Sequence, residues 1–397
     1  MNLKHLFRLL SSIMPALFLT NCAESGTAEH DDREPAAYLV LSVVSVEKSD
    51  QSNSRADDTP PGTYGFEEPA TDYEKIQTMR FIIVDADGNI EHNAYMRQQP
   101  NYTTGKQMFK VKPSQTKTIY LIGNEASIPY ETMKPFLALR KGDHFPENTY
   151  SDITLSRTDG QPLFTDTEVI PMTEVHKVSV GGIQYDGTTP RPYRTALFVT
   201  RASIKITFKI NVDDAYTGFD PDILSDIIFN QVADREYLFP NNTVYDPAKA
   251  TVYETVDNPA VVDKRIITEY DVPADARNAA YTFNWIKSDD KSRRTFSAGP
   301  VYLPETKYAI PGTTSPYSIT LPVNGTELTA TLPNLPALPR NTHAVININL
   351  NGSSLSCTVD VIPYAGIDLN PDFGFDEPWI RPPYIDDERP PWADLDE

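Results

Sequence analysis

Cysteine is nearly missing: among 397 residues there are only Cys22 and Cys357. Two cysteines make no disulfide framework, so stability has to come from a packed core. Cys22 closes an apolar N-terminal run; once it is modified, Cys357 has no partner and reads as a small buried strand residue. Basic residues are also scarce, 35 against 55 acidic ones, for a formal charge of -20. A field of that sign repels phosphate backbones and argues against a nucleic-acid partner. The six histidines never fall at metal-ligand spacing, and HExxH, CxxC, GxSxG and glycine-rich phosphate loops are all missing. No catalytic constellation, metal site or cofactor site is expected, and the chain reads as a non-enzyme. Asp85-Ala86-Asp87-Gly88-Asn89 has part of a calcium loop but not its remaining ligands or terminal glutamate; it reads as a hairpin turn. Beyond the N-terminus no run approaches the roughly 18 apolar residues that a membrane-spanning helix needs.

What is there begins with an address. Residues 1–22, MNLKHLFRLLSSIMPALFLTNC, carry Lys4 and Arg8 ahead of a short apolar stretch from Leu9 to Leu19. That is the layout of a secretory signal. Leu19-Thr20-Asn21-Cys22 resembles a bacterial lipobox, although Asn21 stands where a small residue is usual. Read as a lipobox, it implies that Cys22 is the acylated first residue of the mature chain, with each buried CH₂ of its acyl chains contributing about 0.8 kcal/mol to membrane anchoring; the alternative is an ordinary signal peptide with an incidental cysteine. Residues 23–34, AESGTAEHDDRE, read as a polar tether.

Beyond the tether, 40% hydrophobic residues supply a core, and a chain of this length is expected to hold two or three domains. Runs rich in Val, Ile, Thr, Tyr and Phe recur between Pro, Gly, Asn and Asp clusters, the mark of strands. The clearest are Tyr38–Val46, Thr78–Asp85, Thr118–Gly123, Ala196–Val212, Tyr281–Trp285, Tyr317–Val323, Ala344–Leu350 and Ser356–Ile362. In IKITFKINV (204–212), strict alternation puts Ile204, Ile206, Phe208 and Ile210 on one face. Lys205, Thr207, Lys209 and Asn211 take the other, as in a half-buried antiparallel strand. Helical spacing is weak: 222–236 gathers Ile223, Ile227, Ile228 and Val232 on one face after Asp220-Pro221, and 130–139 predicts a short helix limited by Pro135. The fold class is therefore all-β with minor α, two β-sandwiches in tandem. One spans 23–212, the second 213–367, with the boundary in DDAYTGFDP. Residues 368–397 form an acidic, proline-rich tail with ten acidic residues and six prolines. It reads either as a disordered acidic tail or, with Phe373, Phe375, Trp379, Tyr384 and Trp392 as anchors, as a segment that orders on a neighbouring molecule.

The order of segments carries a resemblance. A lipobox is followed by a hydrophobic strand, a polar stretch with an arginine, then YEKIQTMRFIIVDADGNIEHN, KTIYLIGNEAS, VIPMTEV and LFVTRASIKITFKI, with LPRNTHAVININLNG and CTVDVIPYAG near the end. Over most of 19–365 this resembles the fimbrillins of the FimA/Mfa type, the type V pilus subunits of Bacteroidales. The resemblance implies two transthyretin-like β-sandwich domains and export as a lipoprotein precursor anchored in the outer membrane. It also implies cleavage by an arginine-specific protease that removes the first strand, and polymerisation when a C-terminal strand of another subunit fills the vacated groove.

The residues fit that scheme at named places. The removable strand is 38–46, with Tyr38, Leu39, Val40, Leu41, Val43, Val44 and Val46. The cleavage site is Arg55, before Ala56, in a Ser/Asn/Asp-rich loop of the kind that proteases reach. On residues alone Arg55 is an ordinary loop arginine; Arg33 would release the anchor but keep the strand. The donor segment falls among Val359, Val361, Tyr364, Ile367, Phe373 and Phe375, in a stretch that prolines at 371 and 378 interrupt. Expected partners are other copies or related fimbrial subunits at the cell surface, with a host or bacterial surface ligand as a further partner. The rival expectation is an uncleaved tip, anchor or adhesive, glycan-binding surface lipoprotein, with tyrosines and tail tryptophans as platforms.

Overall fold

The computed structural model describes residues 36–45, 72–97, 106–156, 162–186, 188–224, 226–240, 276–285, 292–307, 317–332 and 340–362, with the short pieces 272–273, 290 and 337–338. Cys22, Arg33, Val46, Arg55 and Ala56 lie outside the described residues, as do Tyr364, Ile367, Phe373, Phe375 and the rest of the tail. Among the described residues no helix is long and apolar enough to cross a membrane.

The first half supplies β1 (Ala37–Ser45), β2 (Thr78–Val84), β3 (Ile90–Arg97), β4 (Lys106–Val111), β5 (Gln115–Gly123), the short β6 (Thr154–Ser156), β7 (Met172–Val180), the short pair β8 (Gln184–Asp186) and β9 (Thr189–Arg191), and β10 (Tyr193–Arg201). The second half supplies β11 (Ile204–Val212), β12 (Ile227–Ala233), β13 (Arg235–Tyr237), β14 (Asn278–Phe283), β15 (Thr295–Leu303), β16 (Thr306–Lys307), β17 (Ser318–Val323), β18 (Thr326–Thr331), β19 (Ala337–Leu338), β20 (His343–Asn351) and β21 (Ser354–Ile362). The chain is β-rich, with two tandem sandwiches and little helix.

In the first sandwich the strand order is β3-β2-β5-β7-β10-β1-β4. The sheet turns a corner at β7 and β10, which pair only at Thr200–Thr173 and Arg201–Met172. Two layers result, β3-β2-β5-β7 and β10-β1-β4, and their facing side chains form one core that includes Leu39, Leu41, Phe81, Phe109, Ile119 and Leu197. The four-stranded layer is buried on both sides. Its outer face, through Ile82, Tyr120 and Ile122, packs against α1 (Tyr130–Ala138) and α2 (Glu147–Tyr150) by way of Met133, Phe136 and Tyr150. This explains why β2 is apolar at consecutive positions. Asp87-Gly88 makes the predicted β2–β3 turn, with Gly88 at φ 82, and the Asp85 carboxylate accepts from the Asp87 and Asn89 amides.

The second sandwich packs β15-β11-β20-β21 against β14-β12-β17-β18, over a core running from Ile204 to Val359. Cys357 is a buried free thiol there, pushed up to about 12 by burial.

Three sequence expectations change. The long apolar run 196–212 is two strands. β10 pairs in the first sandwich and β11 pairs with β15 and β20 in the second, so the chain crosses over at Ala202–Ser203 rather than near Asp213. Lys205 and Thr207 are buried, not solvent-facing: Lys205 meets Glu74 at 2.9 Å and Thr207 bonds His343 at 3.1 Å. The expected helix 222–236 is a single 3-10 turn, Pro221–Ile223, followed by strands β12 and β13. Gln231, at φ 69, makes a bulge in β12. The bulge inserts one residue between inward Phe229 and inward Val232, which turns a strand period into a helical-looking one.

Candidate functional site

The site is the slot that β1 occupies. Ala37, Leu39, Leu41 and Val43 point inward and are 2%, 0%, 0% and 6% exposed, while Tyr38 and Val40 are half-buried on the outer face. The alternation is the period of a strand with one face in a core. Val44 lies in β1 opposite Phe198.

β1 is the middle strand of its layer. It runs parallel to β10, from Leu39 opposite Tyr193 to Ser45 opposite Val199, and antiparallel to β4, from Ala37 opposite Val111 to Ser42 opposite Lys106. Among the described residues β4 pairs in the sheet with β1 alone, and β10 otherwise reaches only the Thr200–Arg201 corner of β7. Taking β1 away would therefore strip both neighbours of their ladders at once. It would also expose three large inward side chains' worth of core, each worth about 1.5–3 kcal/mol when buried. Two strands held a strand-width apart over an apolar floor make a strong template for strand addition.

Each wall has a second hold that does not pass through β1. On the β10 side, His176 Nε2 donates to the Phe198 carbonyl at 2.7 Å. Burial, against the pull of that bond, pushes the His176 pKa down to about 4, so the ring is neutral. On the β4 side, the His92 ring bonds the Lys110 carbonyl at 2.6 Å, and the Lys112 amide donates to Glu91 at 2.7 Å. The Lys112 ammonium reaches the fully buried side chain of Asp85 at 2.9 Å, and Phe109 packs on Phe81 at 5.3 Å between ring centres. These contacts tie β4 to β3 across the open side of the sandwich.

Of the residues expected from sequence, Tyr38, Leu39, Val40, Leu41, Val43 and Val44 come together in this slot. Val359 and Val361 do not belong to a free donor segment. They sit in β21, paired to Ile346 and Ala344 of β20, with Val359 in the second core, so donating them would open that core. Sequence reading missed the walls. In KQMFKV, Phe109 and Val111 alternate with lysines, which was the available sign of β4. The braces Asp85, Glu91, His92 and Lys112 left no local signal.

No family model matches the chain. No curated protein matches it in sequence. Solved structures similar to it include the C-terminally truncated tip fimbrial protein Mfa3 from Porphyromonas gingivalis, with 12% identity and a TM-score of 0.45, covering 82% of this chain and 99% of that one. A fimbrial assembly protein from Parabacteroides distasonis has 11% identity and a TM-score of 0.40, covering 83% and 99%. The fimbrial anchor protein Mfa2 from Porphyromonas gingivalis has 9% identity and a TM-score of 0.41, covering 82% and 97%.

Proposed function

We propose that the chain is a structural, non-enzymatic subunit of a cell-surface fimbria. It is exported as a precursor acylated at Cys22 and held at the outer membrane. Cleavage after Arg55 frees β1, and a strand from another subunit then takes its place. The observation that carries the reading is the position of β1, a detachable N-terminal segment that is also the central strand of a three-stranded layer. A segment with only a targeting role would have no reason to fill a core.

The same geometry supports one order of events. Cutting the loop removes no side chain from the core, so β1 stays seated until an incoming strand displaces it stepwise. An empty slot would leave two strands without ladders, and unpaired buried backbone groups are costly. After processing, the partner is another copy of the chain or a related subunit.

N-terminal sequencing of protein sheared from cells tests the reading. A stalk subunit gives Ala56 as its first residue. An intact, acylated Cys22 overturns the stalk role and favours an uncleaved anchor or adhesive lipoprotein.

A further inference from the structure

The two layers of the first sandwich differ on their outer sides. α1 and α2 cover the four-stranded layer, whereas the outer side of β10-β1-β4 keeps exposed side chains. Val40 stands at its centre. Met108 of β4 lies opposite it on one side and Arg194 of β10 on the other, and Tyr38 lies opposite Lys110. Tyr38 and Val40 are half-buried, while Met108, Lys110 and Arg194 are exposed, Met108 at 36%. Facing residues on one side of a sheet are direct neighbours, so the five make one patch, an apolar centre with a cation at each flank. None of them is acidic, in a chain with 55 acidic residues against 35 basic ones.

Such a mixture suits a lipid headgroup boundary. Apolar side chains enter it, a tyrosine keeps its hydroxyl in water, and lysine and arginine reach phosphates along their own apolar stems. The tether singles out the same partner. Cys22 and Ala36 are 14 residues apart, at most about 50 Å of extended chain. The patch is built on the first strand after the acylated residue, so an anchored precursor keeps it near the bilayer. Closeness raises the effective concentration, and a contact too weak to hold a free protein becomes populated. A second copy or an acidic segment would also suit two cations, but the anchor holds neither in place.

We propose that in the acylated precursor this patch rests on the membrane, with Tyr38, Val40 and Met108 in the headgroup boundary and Lys110 and Arg194 on anionic lipid phosphates. The proposal rests on the lipid-anchored reading above and adds a second membrane contact to it. Maturation dismantles the patch. Tyr38 and Val40 leave with β1, and Cys22 leaves with them. Met108, Lys110 and Arg194 stay behind without the apolar centre, so opening the slot and releasing the subunit from the membrane are one event.

The test holds the uncut chain on vesicles by a tether of the precursor's own length. Residues 1–21, which processing at Cys22 removes, are replaced by six histidines, Cys22→Ala is introduced, and the vesicles contain nickel-chelating lipid. A thiol-reactive fluorophore is placed at Met108→Cys, or at Lys134→Cys on α1, which is exposed on the opposite layer's helix; Cys357 stays buried. Nitroxide-labelled lipid is the quencher. In vesicles rich in phosphatidylglycerol the probe at 108 is expected to be quenched several times more than the probe at 134. Lys110→Glu combined with Arg194→Glu should remove most of that difference at an unchanged melting temperature. So should about 1 M salt, where the screening length is about 3 Å, with no change to the protein. A difference that survives both changes overturns the part given to the cations. Equal quenching at the two positions, or none at 108, overturns the contact; the patch is then covered by a second copy or by the chain's own acidic residues, or faces water. The anchor is read separately, from the mass of the N-terminal peptide of protein extracted from cells. An unacylated Cys22 overturns the lipoprotein reading and this contact with it, whereas an acylated Cys22 without selective quenching overturns the contact alone.

Discussion

Arg340 and Glu305 meet at 2.8 Å with both side chains out of water, and the same guanidinium also donates to backbone that the first half of the chain holds in place. Its Nη1 reaches the Leu238 carbonyl at 3.2 Å and the Thr173 hydroxyl of β7 at 3.4 Å, and Nη2 donates to the Tyr237 carbonyl. Glu236 lies 3.9 Å away, and Glu174 also faces the group electrostatically. Burial works against the charge, but Glu305 and Glu236 hold the Arg340 pKa above its ordinary value. The cluster rivets β7 of the first sandwich to the loops of the second.

Removing the cation alone would leave buried carboxylates uncompensated. Arg340→Met is expected to cost about 3–5 kcal/mol, and Arg340→Met with Glu305→Leu to cost clearly less. Urea denaturation gives both values. Unchanged midpoints for the single variant would contradict the assignment.

Glu174 and Glu236 are pushed up from 4.5 to about 8, by burial first, against the pull of Arg340. A carboxyl with a raised folded-state pKa contributes stability that is complete below its unfolded value and lost as pH rises through the folded one. Stability is therefore expected to fall between about pH 4.5 and about pH 8 from these two groups. Glu174→Gln should flatten that slope in a series of melting temperatures, and an unaltered slope would count against it.

The histidines act at the other end. Burial depresses His176 to about 4 and, with help from Lys205 against Glu74, His343 to about 3. Their contribution is complete above the ordinary imidazole value of 6.5 and lost as pH falls toward these numbers. Because His176 ties β7 to β10, acid should loosen the β10 wall early. The protection factors of residues 193–199 against hydrogen exchange, corrected for the intrinsic rate at each pH, are expected to fall between about pH 6.5 and about pH 4, and less so in His176→Phe.

Within the slot, Leu41→Ala is expected to destabilise the uncut precursor by about 2–5 kcal/mol. Val40→Thr, on the outer face, should stay within about 1 kcal/mol. Equal effects would mean that β1 is not seated by its inward face.

The β4 braces make a separate prediction. Lys112→Ala removes the cation on buried Asp85 and should raise hydrogen exchange in 106–111 with little change in the second sandwich. Uniform loosening across the chain would argue that the brace is not local.

How far the sequence speaks depends on the range of the interaction. β1, the Asp87-Gly88 turn and the helix at 130–138 were legible because their signals lie within a few residues. Pro135 limited the expectation for that helix but does not break it. The Gln231 bulge hid β12, because a single residue with positive φ resets the period. The break at Ala202–Ser203 was hidden because the crossover is polar yet buried: Arg201 donates to Asn341 at 3.1 Å, a partner far along the chain. Lys205 misled for the same reason, its carboxylate being the distant Glu74. The slot's own strand could be read, but its walls and braces are pairings between segments that only folding brings together.

The most direct measurement is polymerisation of the Arg-cut precursor with and without an excess of a peptide spanning residues 36–46. A slot vacated by β1 and refilled by a second copy predicts oligomer ladders that the added peptide suppresses. Ladders that grow equally well in its presence, or a cut protein that stays monomeric with β1 lost, would contradict the account.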